Sequence, residues 1–425
     1  MKKKDLLKVL VNSILIFINI LLLFLPNETD SLKFIGYYLY FLSLAIFIRY
    51  RNNQNVSLLL GIILMTTLSL TNSICFNLEE TAFYWQKSLI GIPSNIINMK
   101  NYSLCVTFFC LFLGKIKDKK INLNYRNNDF YFFIFLSILL FILLFGFDKG
   151  IVGTYVVNRN PLYEYGNVVF LFAWIYTNNN KTKKGVLIIY AIIFCLQALL
   201  FGSRTSAFPM ILLFIMLYSK KIKLPYVLLI GLAGILFGNF IDVFRNVGFD
   251  FVRIFSKMQS TGLFINTLTY SHYAGTQIIE YSLLESNRLL YILNYILTTF
   301  LGNSDKVNLS YIARTAGFVN QGGGFSHTYF YYIGGYIGTV IISTALSRII
   351  NKIFNSERDI SNVLKVTIII YTLRWFIYYP FTLTRTAIFV PCFIYFVTNK
   401  LNVLVRKKQC NYEGIRTRNN TKHTT

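Results

Sequence analysis

The segment that decides the fold reads Gln-Gly-Gly-Gly-Phe-Ser-His-Thr-Tyr-Phe-Tyr-Tyr-Ile-Gly-Gly-Tyr-Ile-Gly and covers residues 321–338. Three consecutive glycines allow backbone geometries that other residues avoid, and they lead into His327, one of only 3 histidines. A membrane helix is predicted to open near Thr328. Its glycines, Gly334, Gly335 and Gly338, have a spacing that lets a neighbouring helix approach closely. The segment therefore predicts a titratable group on a flexible hinge at the water boundary of a packed helical bundle.

Apolar residues dominate the chain, which has 425 residues of which 55 % are hydrophobic and 14 % charged. A soluble domain carries roughly 25 % charged residues. The composition therefore predicts an all-α, polytopic integral membrane protein. Most of the 6 cysteines fall in or beside apolar segments, where thiols pack as small hydrophobes, so neither a disulfide framework nor a metal site is indicated.

About twelve apolar runs have the length, or nearly the length, that crosses a bilayer. They are Leu7–Leu25, Leu32–Ile48, Ser57–Cys75, Ile97–Leu113, Phe130–Phe147, Leu162–Tyr176, Gly185–Phe201, Ser206–Tyr218, Pro225–Ile241, Thr328–Leu346, Val363–Tyr379 and Leu383–Thr398. The fourth run is diluted by Asn101 and Ser103.

Charge distribution orients these runs. If the lysine-rich N-terminus is cytoplasmic, twelve spans place nearly all of the net charge of +25 in inner loops, as the positive-inside rule requires. Both termini are then cytoplasmic, residues 1–425 form one transmembrane domain, and residues 400–425 form a basic cytoplasmic tail. The basic surplus is an orientation signal that also attracts anionic lipid headgroups, and it does not indicate a nucleic-acid partner.

Residues 242–327 form a single long extracytoplasmic loop in this topology. Loops of such length are commonly functional. Within it, Phe251–Phe264 and Leu289–Leu301 are too short to span, so they are predicted to be helices at the outer membrane surface. The polar stretch Gly302–Arg314 is predicted to be irregular.

Arginines on the outer side mark the candidate chemistry, because the inner loops hold no nucleotide-binding motif. The planar guanidinium suits bidentate binding of phosphate or pyrophosphate. Arg204 lies in a tight turn, Arg385 lies in a second one, and Arg245 and Arg314 lie in or beside the long loop. Arg374 lies inside a span, where a charge is costly unless it has a partner or faces a cavity.

Each of these residues has a plainer interpretation. An arginine at a helix end commonly snorkels to the interface, and His327 has the alternative role of an interfacial histidine bonded to a backbone carbonyl. For His272, the plain structural role is favoured.

A family resemblance brings these features together. The turn Gly202-Ser203-Arg204-Thr205, the long late outer loop, and Ser326-His327-Thr328-Tyr329 followed by Gly334, Gly335 and Gly338 resemble the Wzy-type oligosaccharide repeat-unit polymerases. The last motif is also similar to the histidine and glycine stretch of the related O-antigen ligases.

The resemblance implies a glycosyltransferase of the bacterial inner membrane that builds O-antigen (lipopolysaccharide) or capsule polysaccharide. Its substrates would be oligosaccharides on undecaprenyl pyrophosphate, its neighbours membrane lipids, a flippase and a chain-length regulator, and it would need no cofactor. Arg204, Arg314, Arg385 and Arg245 would bind the pyrophosphate, with Arg204 also catalytic and His327 the base, since its intrinsic pKa suits proton transfer near neutral pH. Two alternatives stay open: a lipid-linked oligosaccharide flippase or other transporter, and an O-antigen ligase.

Overall fold

The computed structural model describes residues 3–79, 88–118, 121–146, 161–200, 204–218, 223–247, 250–261, 267–285, 287–301, 304–320 and 322–401. Within these ranges every regular element is helical, which confirms the prediction of an all-α protein. Four described helices are long and apolar enough to cross a membrane, namely Asp30–Tyr50, Gln54–Phe76, Lys181–Leu199 and Ser326–Asn355. The chain is a helical membrane protein.

The described helices before the long loop coincide with the predicted apolar runs. They are α1 (Lys3–Leu23), α2 (Asp30–Tyr50), α3 (Gln54–Leu70), α4 (Pro93–Phe112), α5 (Asp129–Phe145), α6 (Gly166–Ile175), α7 (Lys181–Leu200), α8 (Arg204–Tyr218) and α9 (Leu224–Val247). A π-helical turn, Thr71–Phe76, extends α3, and a 3₁₀ turn, Pro161–Tyr165, precedes α6. Two of these helices begin at residues typical of helix starts. The Asn53 side chain accepts a hydrogen bond from the Asn55 amide and caps α3, and Pro93 lies in the first turn of α4.

The predicted outer loop is largely helical. It contains α10 (Phe251–Thr261), α11 (Thr267–Leu284), α12 (Arg288–Leu301), a 3₁₀ turn (Ser304–Val307) and α13 (Leu309–Thr315). The two short helices predicted there are confirmed as α10 and α12. The prediction of an irregular stretch is wrong from Leu309 onward, because the Asn308 side chain accepts a hydrogen bond from the Tyr311 amide and caps α13.

The last third of the chain forms a long helix and a helical hairpin. α14 (Ser326–Asn355) is followed by α15 (Asp359–Ile370), two π-helical turns (Leu373–Tyr378 and Thr382–Phe389) and a final helical run over 390–401. The hairpin turns at Tyr379, whose backbone is extended ahead of Pro380. Its two arms lie side by side, since Thr367 Oγ1 donates to the Ala387 carbonyl at 2.6 Å.

α4 is the central helix of the bundle and packs against α1, α2, α11 and α14. Its polar side chains are buried but satisfied. Lys100, only 2 % exposed, donates to the Leu25 carbonyl at 2.5 Å and to Asn27 Oδ1 at 2.9 Å, so it caps the C-terminal end of α1. The polar residues that interrupt the fourth apolar run are therefore those of a helix surrounded by protein.

α14 is broken at Gly334 and Gly335, where Gly335 has φ 62° and ψ −150°. Only glycine adopts this conformation readily. No neighbouring atom lies within 4 Å of where a Cβ would sit on either residue, while a Cβ on Gly338 would meet the Phe330 carbonyl of the same helix at 2.9 Å. The prediction that these glycines admit a neighbouring helix is wrong, because they break α14 instead.

Candidate functional site

Two histidines meet in a polar network between α4, α11 and α14. His272 Nε2 lies 2.7 Å from Asn95 Oδ1, and Asn98 Nδ2 donates to the His272 carbonyl oxygen at 3.0 Å. A carbonyl oxygen can only accept, so this bond fixes the orientation of the Asn98 amide. Asn98 Oδ1 is then the acceptor that lies 2.7 Å from His327 Nε2, and this nitrogen of His327 carries a proton.

His327 lies in the protein interior. It is 1 % exposed, and its ring centroid lies 5.1 Å from that of Tyr102 and 5.6 Å from that of Phe325. The expectation that it lies at the water boundary is wrong, because α11, which the sequence did not predict, covers it. Its ring bond goes to an amide side chain, not to a backbone carbonyl. The catalytic role of His327 stays a prediction.

The glycines ahead of His327 have the predicted backbone freedom. Gly322, Gly323 and Gly324 have φ values of 89°, 93° and 96°. A Cβ on Gly323 would lie 2.9 Å from Ser271 Oγ, so this loop runs directly against α11. The prediction of geometries closed to other residues is confirmed.

Asn101 holds the two halves of α14 together. Its Nδ2 donates to the His327 carbonyl at 2.7 Å, before the break, and its Oδ1 accepts from Thr339 Oγ1 at 2.6 Å, after the break. Both halves of α14 are therefore tied to α4. His327 and its neighbours act as a fixed framework in this geometry.

The start of α14 is also tied to the first π-helical turn of the hairpin. Ser326 Oγ donates to the Trp375 carbonyl, and the ring centroids of Tyr329 and Tyr379 lie 6.4 Å apart. The start of α14, next to His327, is thus bonded to the segment that carries Arg374.

Arg374 has the partner that its depth requires. Its guanidinium forms an ion pair with Glu164, and the two side chains are 9 % and 30 % exposed. Tyr371 Oη donates to the Glu164 carbonyl at 2.9 Å, which fixes the turn that carries the carboxylate. Breaking such a buried pair on one side leaves a charge without compensation.

Arg385 lies beside this pair. Its guanidinium carbon is 5.9 Å from the ring centroid of Tyr165, the neighbour of Glu164, and 5.7 Å from that of Phe381. Two aromatic faces hold a half-buried cation here. The structure therefore brings the predicted residue Arg385 together with Arg374.

Both arginines lie in π-helical turns, Leu373–Tyr378 and Thr382–Phe389. Such turns are rare and occur frequently at functional sites, because the extra residue bulges the backbone and re-aims side chains. Two of them in one hairpin, each with an arginine, distinguish this corner of the molecule.

Arg204 opens α8, and the backbone places it near the same corner. Asn167 Nδ2 donates to the carbonyl of Ser206, two residues further along, at 3.4 Å, and Asn167 lies three residues after Glu164. The side chain of Arg204 lies outside the described part of the chain. Residues 201–203 of the predicted turn lie outside the described ranges, so the turn and the action of Arg204 both stay predictions.

Of the other two predicted arginines, Arg314 lies away from this cluster and the Arg245 side chain lies outside the described part of the chain. Arg314 is exposed at the end of α13, and a Cβ on Gly322 would lie 3.5 Å from its Nη2, so it lies beside the glycine loop. Arg245 belongs to α9, but its side chain is not among those described. Residues 402–425, which include most of the predicted basic tail, also lie outside the described ranges.

The candidate site is therefore the cluster of Glu164, Tyr165, Arg374 and Arg385, next to the start of α8. Glu164 and Tyr165 were not predicted as site residues. For Glu164 the available signal was a carboxylate near the start of an apolar run, which needs a cation as partner. Within the described residues no group of three or more His, Cys, Asp and Glu is placed to hold a metal ion.

Comparisons of the chain with protein-family models, with curated proteins and with solved structures found no match.

Proposed function

We propose that the protein is a glycosyltransferase that polymerises lipid-linked oligosaccharide units, as the resemblance to the Wzy-type polymerases implies. The observation that supports this most is the meeting of Arg374 and Arg385, in two π-helical turns, with Glu164 and the start of α8. Guanidinium groups held by aromatic rings and a carboxylate suit an anionic, ring-bearing substrate. A glycan on a pyrophosphate carrier has both properties.

The reaction needs charge neutralisation at one end. A hydroxyl of the acceptor unit attacks the anomeric carbon of the donor glycan, the bond from that carbon to the pyrophosphate oxygen breaks, and the electron pair leaves with the pyrophosphate. Arg385, with Arg204, stabilises the departing charge, since donors fixed in advance act most strongly where water is scarce. The polymer is thereby passed to the new unit.

The hydroxyl proton needs an acceptor, and the geometry favours Glu164 over His327. Glu164 has a side chain that is 30 % exposed, whereas His327 is 1 % exposed. An incoming pyrophosphate competes with Glu164 for Arg374. When Arg374 turns to the phosphate, the carboxylate is released from this ion pair and can accept the hydroxyl proton.

The proposal includes the finer topology. The apolar helices cross the bacterial inner membrane about twelve times, both termini are cytoplasmic, and the site faces outward. Undecaprenyl pyrophosphate-linked units reach it from the outer leaflet, after a flippase has delivered them and while a chain-length regulator limits the product.

A transporter of lipid-linked oligosaccharides is the second candidate, favoured by one observation. α14 is interrupted at Gly334 and Gly335, and interrupted membrane helices are characteristic of secondary transporters. A ligase would use the same chemistry with a lipid-core acceptor.

The first experiment follows the polysaccharide in cells that lack the chromosomal gene. Complementation by the wild-type chain should restore long polymer, whereas isolated units should remain with Arg204→Ala, Arg385→Ala and Glu164→Gln. Arg204→Lys should also fail, because a point charge does not replace a planar fork. Arg253→Ala is the matched control, since that arginine is exposed and forms an ion pair with Asp250 at the surface.

The pattern of failure separates the candidates. Single units on the lipid core in the deletion strain support a polymerase, free unligated polymer identifies a ligase, and units retained inside identify a transporter. Full-length polymer from the Arg385→Ala and Arg204→Ala variants at wild-type levels would refute the proposed site.

A further inference from the structure

α12 is apolar on its outward face, the reverse of a helix that faces water. Its outward residues are 50–88 % exposed, and they are Leu289, Leu290, Leu293, Ile296, Leu297, Phe300 and Leu301. No charged residue follows Arg288 within this helix. At 14 residues the helix extends about 21 Å, too short to cross a bilayer. The exposed face therefore lies against hydrocarbon at the edge of the membrane.

The inward face of α12 packs against the arginine-bearing hairpin. Tyr295 Oη lies 3.2 Å from Thr384 Oγ1, next to Arg385, and the Tyr295 ring centroid lies 5.6 Å from that of Phe381. At the edge of the outward face, the ring of Phe300 also contacts the hairpin, with its centroid 5.0 Å from that of Phe389. Phe381 is one of the two rings that hold Arg385.

α12 is thus a wall one helix thick, about 10 Å, between hydrocarbon and the segment that holds Arg385. A substrate whose charged head is bound at Arg385 and whose tail stays in the membrane must pass its chain over or beside this wall. We propose that the outward leucine face of α12 is the binding surface for the polyprenyl chain of the lipid-linked substrate. This inference rests on the proposed function and names where the carrier lies.

The outward leucine face of α12 orients the polyprenyl chain more than it strengthens binding of the substrate. Lipid tails are as apolar as leucine, so the face gains little from the hydrophobic effect inside a bilayer. What it provides is an uncharged, contoured surface whose far side is bonded to the residue beside Arg385. The chain packs there by close contact while the pyrophosphate lies at the arginines.

A comparison of donor chains tests this in reconstituted vesicles. Leu293→Ser with Leu297→Ser should raise the KM about fivefold for a donor with a full polyprenyl chain, since close packing contacts along that chain are lost. The same pair should leave the KM unchanged for a geranyl-linked donor, whose chain is too short to follow the helix. The matched control is Ile192→Ser with Leu196→Ser on α7, whose side chains are 55 % and 54 % exposed.

The results divide cleanly. An equal rise in KM for both donors shows that the change reached the arginine hairpin through Tyr295 and overturns the inference. An unchanged KM for the polyprenyl donor does so as well. If the wild-type chain transfers neither donor, the proposed function fails.

A second measurement does not depend on turnover. A photoreactive polyprenyl phosphate, irradiated with the wild-type protein in the same vesicles, should label α12 several-fold more than α7, and the leucine double variant should lose that excess. A photoreactive phospholipid should label both helices alike. Equal labelling of α12 and α7 by the polyprenyl probe would identify ordinary bilayer contact and overturn the inference, whether or not the protein is a transferase.

Discussion

The ion pair between Glu164 and Arg374 supports a quantitative prediction. Glu164→Met leaves a guanidinium that is 9 % exposed without its anion, and we expect a loss of about 3–5 kcal/mol in stability. Arg374→Met leaves a carboxylate that is 30 % exposed, which water reaches, so the expected loss is smaller, about 1–3 kcal/mol. The double variant replaces both charges with apolar chains and should be more stable than Glu164→Met alone.

Thermal unfolding in detergent, followed by the fraction of monodisperse protein, measures the four members of this cycle. Because each charge compensates the other, the double variant should lose clearly less stability than the sum of the two single losses. A double variant whose melting temperature falls by the sum of the two single shifts would refute it. Arg253→Met, in the exposed pair with Asp250, is the control. It should change the free energy of unfolding by no more than about 0.5 kcal/mol.

Three further predictions use the same thermal assay. Asn98→Leu removes the amide that joins His327 to His272 and leaves several buried polar groups without a hydrogen-bond partner, so we expect a loss of about 2–4 kcal/mol in stability. An unchanged melting temperature would show that the network does not stabilise the fold. Gly335→Ala should lose about 1–3 kcal/mol because its φ is 62°, while Gly185→Ala, in open space on α7, should be neutral or slightly stabilising; equal effects would contradict a conformational cause. Lys100→Met should lose about 2–3 kcal/mol by uncapping α1, and retention of full stability would argue against the cap.

The sequence predicted helices well because apolar runs carry that information directly. Each of the twelve predicted runs overlaps helical structure in the described chain, including the run of α4 that Asn101 interrupts, while the number of membrane crossings stays a prediction. What hydropathy does not reveal is which helix is surrounded by protein. α11 was missed for this reason: His272, Thr276 and Glu280 recur every four residues on one face, which reads as a polar loop until α4 supplies their partners.

The site was predicted in part. Arginines on the predicted outer side were identified as candidates from their charge and from the predicted topology, and the structure brings Arg374 and Arg385 together. Glu164 was not identified as a site residue, because its pairing with Arg374, which is far away in the chain, leaves no local pattern in the sequence. His327 was placed at the surface because a covering helix cannot be read from the histidine's own neighbours.

The interruption in α14 also limits where a membrane crossing can begin. Hydropathy alone would start the crossing at Thr328. Gly334 is exposed and its backbone is not helical, and backbone groups without helical partners are not tolerated against hydrocarbon. We therefore expect the crossing to begin after the two glycines. From Tyr336 to Ser347, the last residue before Arg348, the helix rises about 18 Å at about 1.5 Å per residue, which is less than the hydrocarbon thickness of an ordinary bilayer, so a locally thinned bilayer or a snorkelling Arg348 would accompany this crossing.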